Sequence, residues 1–184
     1  SLLEHYEKVL QAAEEFDQTF GFLLKYTRES TERAHQKLLR TPLSAEMDLR
    51  ACLGTNTKDM LSGIADFVRT QSYGKKGELV SRLAEVLLNA ELLQKTLDED
   101  LAEVERNALR WVLEGEGARP WGEFVERYGN DAQESKSWNY HKPQSVPGRL
   151  RAAGLLYSGL LEGRIVAFIP ADLRPLLRRL LAKG

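Results

Sequence analysis

Leu2, Tyr6, Val9, Ala13, Phe16, Phe20 and Leu23 recur at alternating spacings of four and three, the tightest constraint on how this chain can fold. An apolar residue every 3.5 positions over three heptads dictates a helix with one face that needs cover. The spacing predicts a long helix over roughly residues 2–39. Leu3, Leu10 and Leu24 widen the stripe, the width expected of a helix packed on its own domain rather than a thin two-stranded seam. After Tyr26 the pattern decays into "TRESTERAHQK", read as a solvated stretch. A second use of the stripe is a homodimer or a partner helix, held through Leu2, Tyr6, Val9, Phe16, Phe20 and Leu23.

Pro42 ends that helix by removing a donor and restricting Thr41. "SAEMDLRACLG" predicts a short helix with Ser44 as cap, and "TNTKDMLSGIADFVRTQ" another with Thr57 as cap. "SYGKKG" is a turn, and Glu78 to Leu92 a further helix with Leu79, Val80, Leu83, Val86 and Leu87 inward. A helix follows to about Leu113, with Trp111 as a core anchor. Trp121 anchors a short one from Pro120 to Gly129. Residues 130–144 are polar and unpatterned, an inserted loop. "SVPGRLRAAGL" closes as a short helix at Gly154, and "LLYSGLLEGRIVAFIP" alternates around Glu162-Gly163 as a β-hairpin. A last helix follows.

The fold class expected is mainly α: a helical domain over 1–96, then a second domain over 97–184 bearing one hairpin. Net charge is only -1, so the whole surface is not built for nucleic acid or anionic lipid. The mean hides a gradient. Residues 97–142 carry 6 basic and 11 acidic groups, while 143–184 carry 7 and 2. A polyanion would meet the last 42 residues first. The single cysteine, Cys52, excludes an internal disulfide and fits a reducing, cytoplasmic setting. No apolar run approaches 18 residues, and the first residues lack a signal peptide's basic flank. Opening on serine, the chain reads as a piece of a larger protein.

"GKKGELVSRL", residues 74–83, resembles the second half of a SAP-type helix-turn-helix, through Gly74, Lys76, Glu78, Leu79, Arg82 and Leu83. It is also similar to the N-terminal helical module of Rho-type termination factors, and the likeness spans residues 57–92. The resemblance implies contact with duplex DNA. Physically, a helix N-terminus with unpaired N–H groups and two adjacent lysines, Lys75 and Lys76, favours a phosphate.

Residues 103–182 run helix, helix, loop, helix, hairpin, helix, an order that resembles a winged helix. That resemblance places Arg149 and Arg151 on a helix facing the major groove and Arg164 on the wing. A guanidinium fork suits phosphate and guanine edges alike. Trp138, Tyr140 and Lys142 in the loop are candidates for stacking and backbone contact, and Arg178 and Arg179 extend the basic face.

Catalysis has no pattern behind it. His5, His35 and His141 lie apart from any nucleophile or ligand set, Cys52 sits in apolar "RACLG", and no phosphate-loop or metal-helix motif occurs. No cofactor or metal is expected. Two functions follow from the residues: a non-catalytic DNA-binding module, with duplex DNA as partner, or a protein–protein adaptor docking through the heptad helix and the winged helix.

Overall fold

The computed structural model describes residues 1–182. Helix α1 spans Leu2–Leu39, matching the extent read from the heptads. Its start is a capping box, in which the Ser1 hydroxyl accepts from the Glu4 N–H and the Glu4 carboxylate accepts from the Ser1 nitrogen. Residues 1–30 are exposed on every face, and only His35 and Leu39 of this helix are buried. The helix therefore projects from the body by about 45 Å, at 1.5 Å per residue. The expectation that its stripe packs on its own domain is overturned. The apolar half stands free, and the polar "TRESTERAHQK" half is the part that docks.

The body begins where α1 ends. Leu43 N–H donates to Leu160 O at 2.9 Å and Leu160 N–H to Thr41 O at 2.8 Å, so residues 41–43 run beside the sheet. Helices α2 (Leu49–Gly54), α3 (Lys58–Phe67), α4 (Lys76–Leu87) and α5 (Ala90–Lys95) follow. Asp48 rather than Ser44 caps α2, its carboxylate accepting from Ala51 N–H at 2.8 Å. Asn89 caps α5, which divides the helix expected over 78–92. A π-helical turn, Thr96–Asp100, precedes α6 (Glu103–Glu114), and Arg106 holds it by donating to the carbonyls of Leu97 and Leu101.

Strand β1 (Ala118–Pro120) leads into α7 (Trp121–Tyr128); α8 (Val146–Ala152), β2 (Tyr157–Leu161), β3 (Arg164–Phe168) and α9 (Leu173–Leu181) complete the chain. The sheet is antiparallel with order β1-β3-β2, pairing Ala118 with Phe168 and Tyr157 with Phe168. The hairpin lies as predicted, with Glu162 and Gly163 both at positive φ, the geometry that turns a two-residue hairpin. One addition is β1, which makes the expected hairpin a three-stranded sheet. Its three residues are too few for alternation to show, and it sits at the sheet edge, where Pro120 is tolerated.

The core is continuous across the boundary expected at residue 96. Leu61, Ile64, Leu83 and Leu87 from the first half join Leu109, Phe124, Leu150, Phe168 and Leu177 from the second in one buried cluster. Leu49 N–H donates to Asp172 Oδ1 at 2.8 Å, and Arg174 donates to Ala45 O at 2.9 Å, tying the two ends together. Gly154 marks one close contact between the halves. It sits at φ +75, and a Cβ there would stand 2.7 Å from Leu87 Cδ1. The mainly α class, with a small sheet near the C-terminus, stands.

Candidate functional site

The first candidate surface is the free face of α1. Leu2 is 90% exposed, Tyr6 62%, Phe16 67% and Phe20 51%, with Leu3, Val9, Leu10, Leu23, Leu24 and Tyr26 about half exposed or more. The Phe16 and Phe20 rings lie parallel with centroids 6.1 Å apart, stacked along the helix one turn from each other. Taking an aromatic side chain at about 200 Å² and the aliphatic ones somewhat smaller, this stripe leaves on the order of 1,000 Å² of apolar surface in water. A monomer's largest apolar patch rarely exceeds a few hundred Å², and larger ones mark interfaces.

At the root of the projection lies a buried ionic cluster. Asp131 is inaccessible to solvent, and three basic groups converge on it. Arg151 Nε donates to its Oδ2 at 2.7 Å, Lys136 Nζ lies 3.4 Å from the same oxygen, and His35 Nδ1, from α1, lies 3.5 Å from Oδ1. Lys136 also donates to the carbonyls of Asp131 and Glu134 at 2.6 and 3.0 Å, and the Arg151 guanidinium stacks on Trp121 at 5.0 Å. Burial alone would raise the Asp131 carboxyl; Arg151, Lys136 and His35 outweigh it and hold it below its ordinary value. Burial dominates at His35 as well, pushing it down to about 4; Asp131 opposes, while Lys136 and Arg151 reinforce. The imidazole is therefore neutral at pH 7. His35 Nδ1, Asp131 Oδ1 and one Arg151 amino group make no hydrogen bond within the described residues.

This cluster places one base-edge candidate inside the protein. Arg151 is 4% exposed and is committed to Asp131. The other, Arg149, is half-buried: its Nε donates to both Glu105 carboxylate oxygens at 3.1 and 3.0 Å, its amino group donates to Asp100 O, and its guanidinium covers Phe67. Trp138 is buried too, packed so closely on α3 that a Cβ at Gly63 would stand 2.9 Å from its own Cβ. The 130–144 segment is an inserted loop as expected, but a docked one. Glu134 accepts from the backbone of Gln144 and Ser145 at 2.7 and 3.0 Å, Ser137 donates to Asp59 at 2.8 Å, and Asn139 donates to Ser62 at 3.0 Å.

The other candidates stay outside. Lys75, Lys76, Tyr140, Lys142, Arg164, Arg178 and Arg179 are exposed; Lys183 in the same tail lies outside the described residues. Lys142 and Arg149 share a cleft of about 270 Å³ with Trp138 and Arg69, but Asp66 and Asp100 line it as well. At the turn before α4, the anion position is partly taken: the Glu78 carboxylate accepts from Lys75 N–H at 3.4 Å. Arg82 donates to the carbonyls of Gln71 and Tyr73, both at 2.8 Å, so this residue of the SAP-like signature holds the turn itself.

Sequence reading did not find His35, Asp131 and Lys136. They fall in two stretches without periodicity, 96 residues apart between His35 and Asp131, and no local signal announces their meeting. Cys52 is fully buried, and burial, with Asp172 and Asp48 nearby, pushes its thiol up to about 12, which leaves it protonated and unreactive. Among the described residues no three His, Cys, Asp or Glu side chains are grouped as metal ligands, and no helix is long and apolar enough to cross a membrane. No family model, curated protein or solved structure matches this chain.

Proposed function

We propose that this protein is a non-catalytic association module that docks onto another polypeptide through the free face of α1. One observation carries the reading: ten large apolar side chains line one side of a helix that none of the described residues of the body covers. An isolated helix owes little to propensity, and most helical stability comes from packing an amphipathic face. A stripe of this area is enough for a standard interface of about 800 Å² per partner. The His35 and Leu39 anchor fixes the direction in which the face is presented.

Photo-crosslinking tests it. A benzophenone side chain at position 16 is expected to form protein adducts on irradiation in cells, and one at exposed Gly77 on the body is not. The absence of any protein adduct from position 16 would sink the association reading.

A second reading, contact with duplex DNA in a reducing cytoplasm, draws on the exposed Lys75, Lys76, Lys142, Arg164, Arg178 and Arg179. The helix, strand, helix, helix, hairpin order over 103–168 supports the winged-helix likeness. It ranks behind association because Arg149 and Arg151 are engaged internally and Trp138 is covered. Anisotropy of a labelled 25-base-pair duplex at about 50 and about 200 mM salt decides it. Six contacts would cost about 10³ in affinity over that range, with Lys75→Ala plus Lys76→Ala reducing the slope, and no binding at the lower salt would remove it.

A further inference from the structure

We propose that the occupant of the α1 face is a second copy of the same helix, running antiparallel, so that Ala13 packs against the partner's Phe16. This inference rests on the association reading above and adds partner, direction and register to it.

The side-chain volumes choose the direction. Tyr6, Ala13 and Phe20 occupy one set of seam positions and Leu2, Val9, Phe16 and Leu23 the other. In a parallel pair each layer would be made of identical residues. Ala13 would face Ala13 and leave a void, while Phe16 on Phe16 and Phe20 on Phe20 would crowd the layers that follow. Interiors tolerate neither gaps nor overpacking. In an antiparallel pair the two sets alternate across the seam. Ala13 meets the partner's Phe16, Val9 meets the partner's Phe20, and Tyr6 meets the partner's Leu23, so that every layer pairs a larger side chain with a smaller one. The flanking residues fall into place in the same register. Leu3 lies beside the partner's Leu24, and His5 beside the partner's Tyr26, which explains why the stripe is wider than a two-position seam.

Charge points the same way at the ends. Residues 1–8 carry Glu4, Glu7 and Lys8, and residues 21–28 carry Lys25 and Arg28 without an acid. The antiparallel register sets these two segments side by side; a parallel one sets each against its like. Glu14 and Glu15 lie on the outer side of the helix and do not discriminate, and Asp17, on the flank of Leu3 and Leu24, falls beside the partner's Leu10. The length also fits. The register overlaps residues 1–28, and residues 1–30 are the ones exposed on every face. The pairing of residues 1–28 therefore uses only exposed parts of α1 and asks for no rearrangement of the body.

Disulfide trapping reads the register directly, since native Cys52 is buried and does not compete. A mixture of Val9→Cys and Phe20→Cys proteins, equilibrated in a glutathione buffer, is expected to form a covalent heterodimer in high yield, and each variant alone is not. Light scattering of the wild type is expected to give twice the 20.8 kDa chain mass, and Phe16→Glu with Phe20→Glu is expected to return it to one chain while the body's near-ultraviolet dichroism is unchanged. Trapping of Val9→Cys with itself would overturn the antiparallel direction, and a mass of three or four chains would overturn the two-helix seam. A wild type that stays at one chain mass to about 100 µM, roughly a hundred times a micromolar dissociation constant, overturns self-pairing. If position 16 then still crosslinks to a different protein, the association reading survives without it; if position 16 yields no adduct, both fall.

Discussion

Changing the pH from 7 to 5 isolates the contribution of His35, because its imidazole is buried neutral with its value pushed down to about 4. An unfolded chain takes up that proton near pH 6.5, whereas the folded protein refuses it until about pH 4. The folded value is depressed for a base, so the stability is fully present above the unfolded value. It falls by about 1.4 kcal/mol per pH unit as the pH drops between the two values. Integrated from pH 7 to 5, the loss is about 2 kcal/mol, and any folded value below 5 gives nearly the same figure. Asp131, held below its ordinary value, stays ionised throughout this window and adds no slope of its own. Urea unfolding followed by the fluorescence of the three buried tryptophans, Trp111, Trp121 and Trp138, measures it. With a urea slope of about 2 kcal/mol per molar, the wild-type midpoint is expected to fall by about 1 M more than that of His35→Gln. Equal falls in the two proteins would refute the buried neutral imidazole. A wild type that gains on the variant at pH 5 would mean that His35 is charged and paired with Asp131.

Asp131→Ala leaves Arg151 and Lys136 as uncompensated buried cations and is expected to cost about 3–5 kcal/mol in urea unfolding, while Arg164→Ala, on the exposed start of β3, is expected to leave the midpoint within about 0.5 kcal/mol. Gly21 lies mid-helix on α1, off the seam, with nothing within 4 Å of a Cβ placed there. Gly21→Ala is expected to stabilise the projecting helix by about 0.5–1 kcal/mol, read as slower amide exchange over residues 10–30 with the oligomeric mass unchanged.

The helix was legible from the heptad spacing in residues 2–23 and its end from Pro42, because a period of 3.5 is a property of the backbone and needs no partner to be read. Which surface covers the stripe was not legible. Periodicity states that a face is apolar, and packing on the chain's own body satisfies that demand as well as packing on another chain. The structure shows that the body does not cover it: His35 and Leu39, buried in a polar stretch, fix α1 by its other end, and residues 1–30 stay exposed. The hairpin was readable for a different reason. Glu162-Gly163 is a local turn instruction, whereas β1 exists only because β3 is there to pair with it.

The charge gradient is real, yet its main partners lie inside the molecule rather than outside it. Residues 97–142 are at -5 and residues 143–184 at +5. Taken alone, the basic segment has the charge of a surface that meets a polyanion. The fold sets the two segments against each other: Glu105 on α6 accepts from Arg149 on α8, and Asp131 in the docked loop accepts from Arg151, also on α8. Two guanidinium groups of the basic segment are thereby committed to acids of the acidic one, Arg151 buried and Arg149 half-buried. A buried charge needs a partner more than an exposed one does, since its solvation is lost on folding. Complementary charge in adjacent segments of a small protein is thus first a statement about how the segments dock. Of the cations singled out for a polyanion, Lys75, Lys76, Lys142, Arg164, Arg178 and Arg179 stay at the surface to meet a ligand, and the apolar face of α1 is the larger unmet demand.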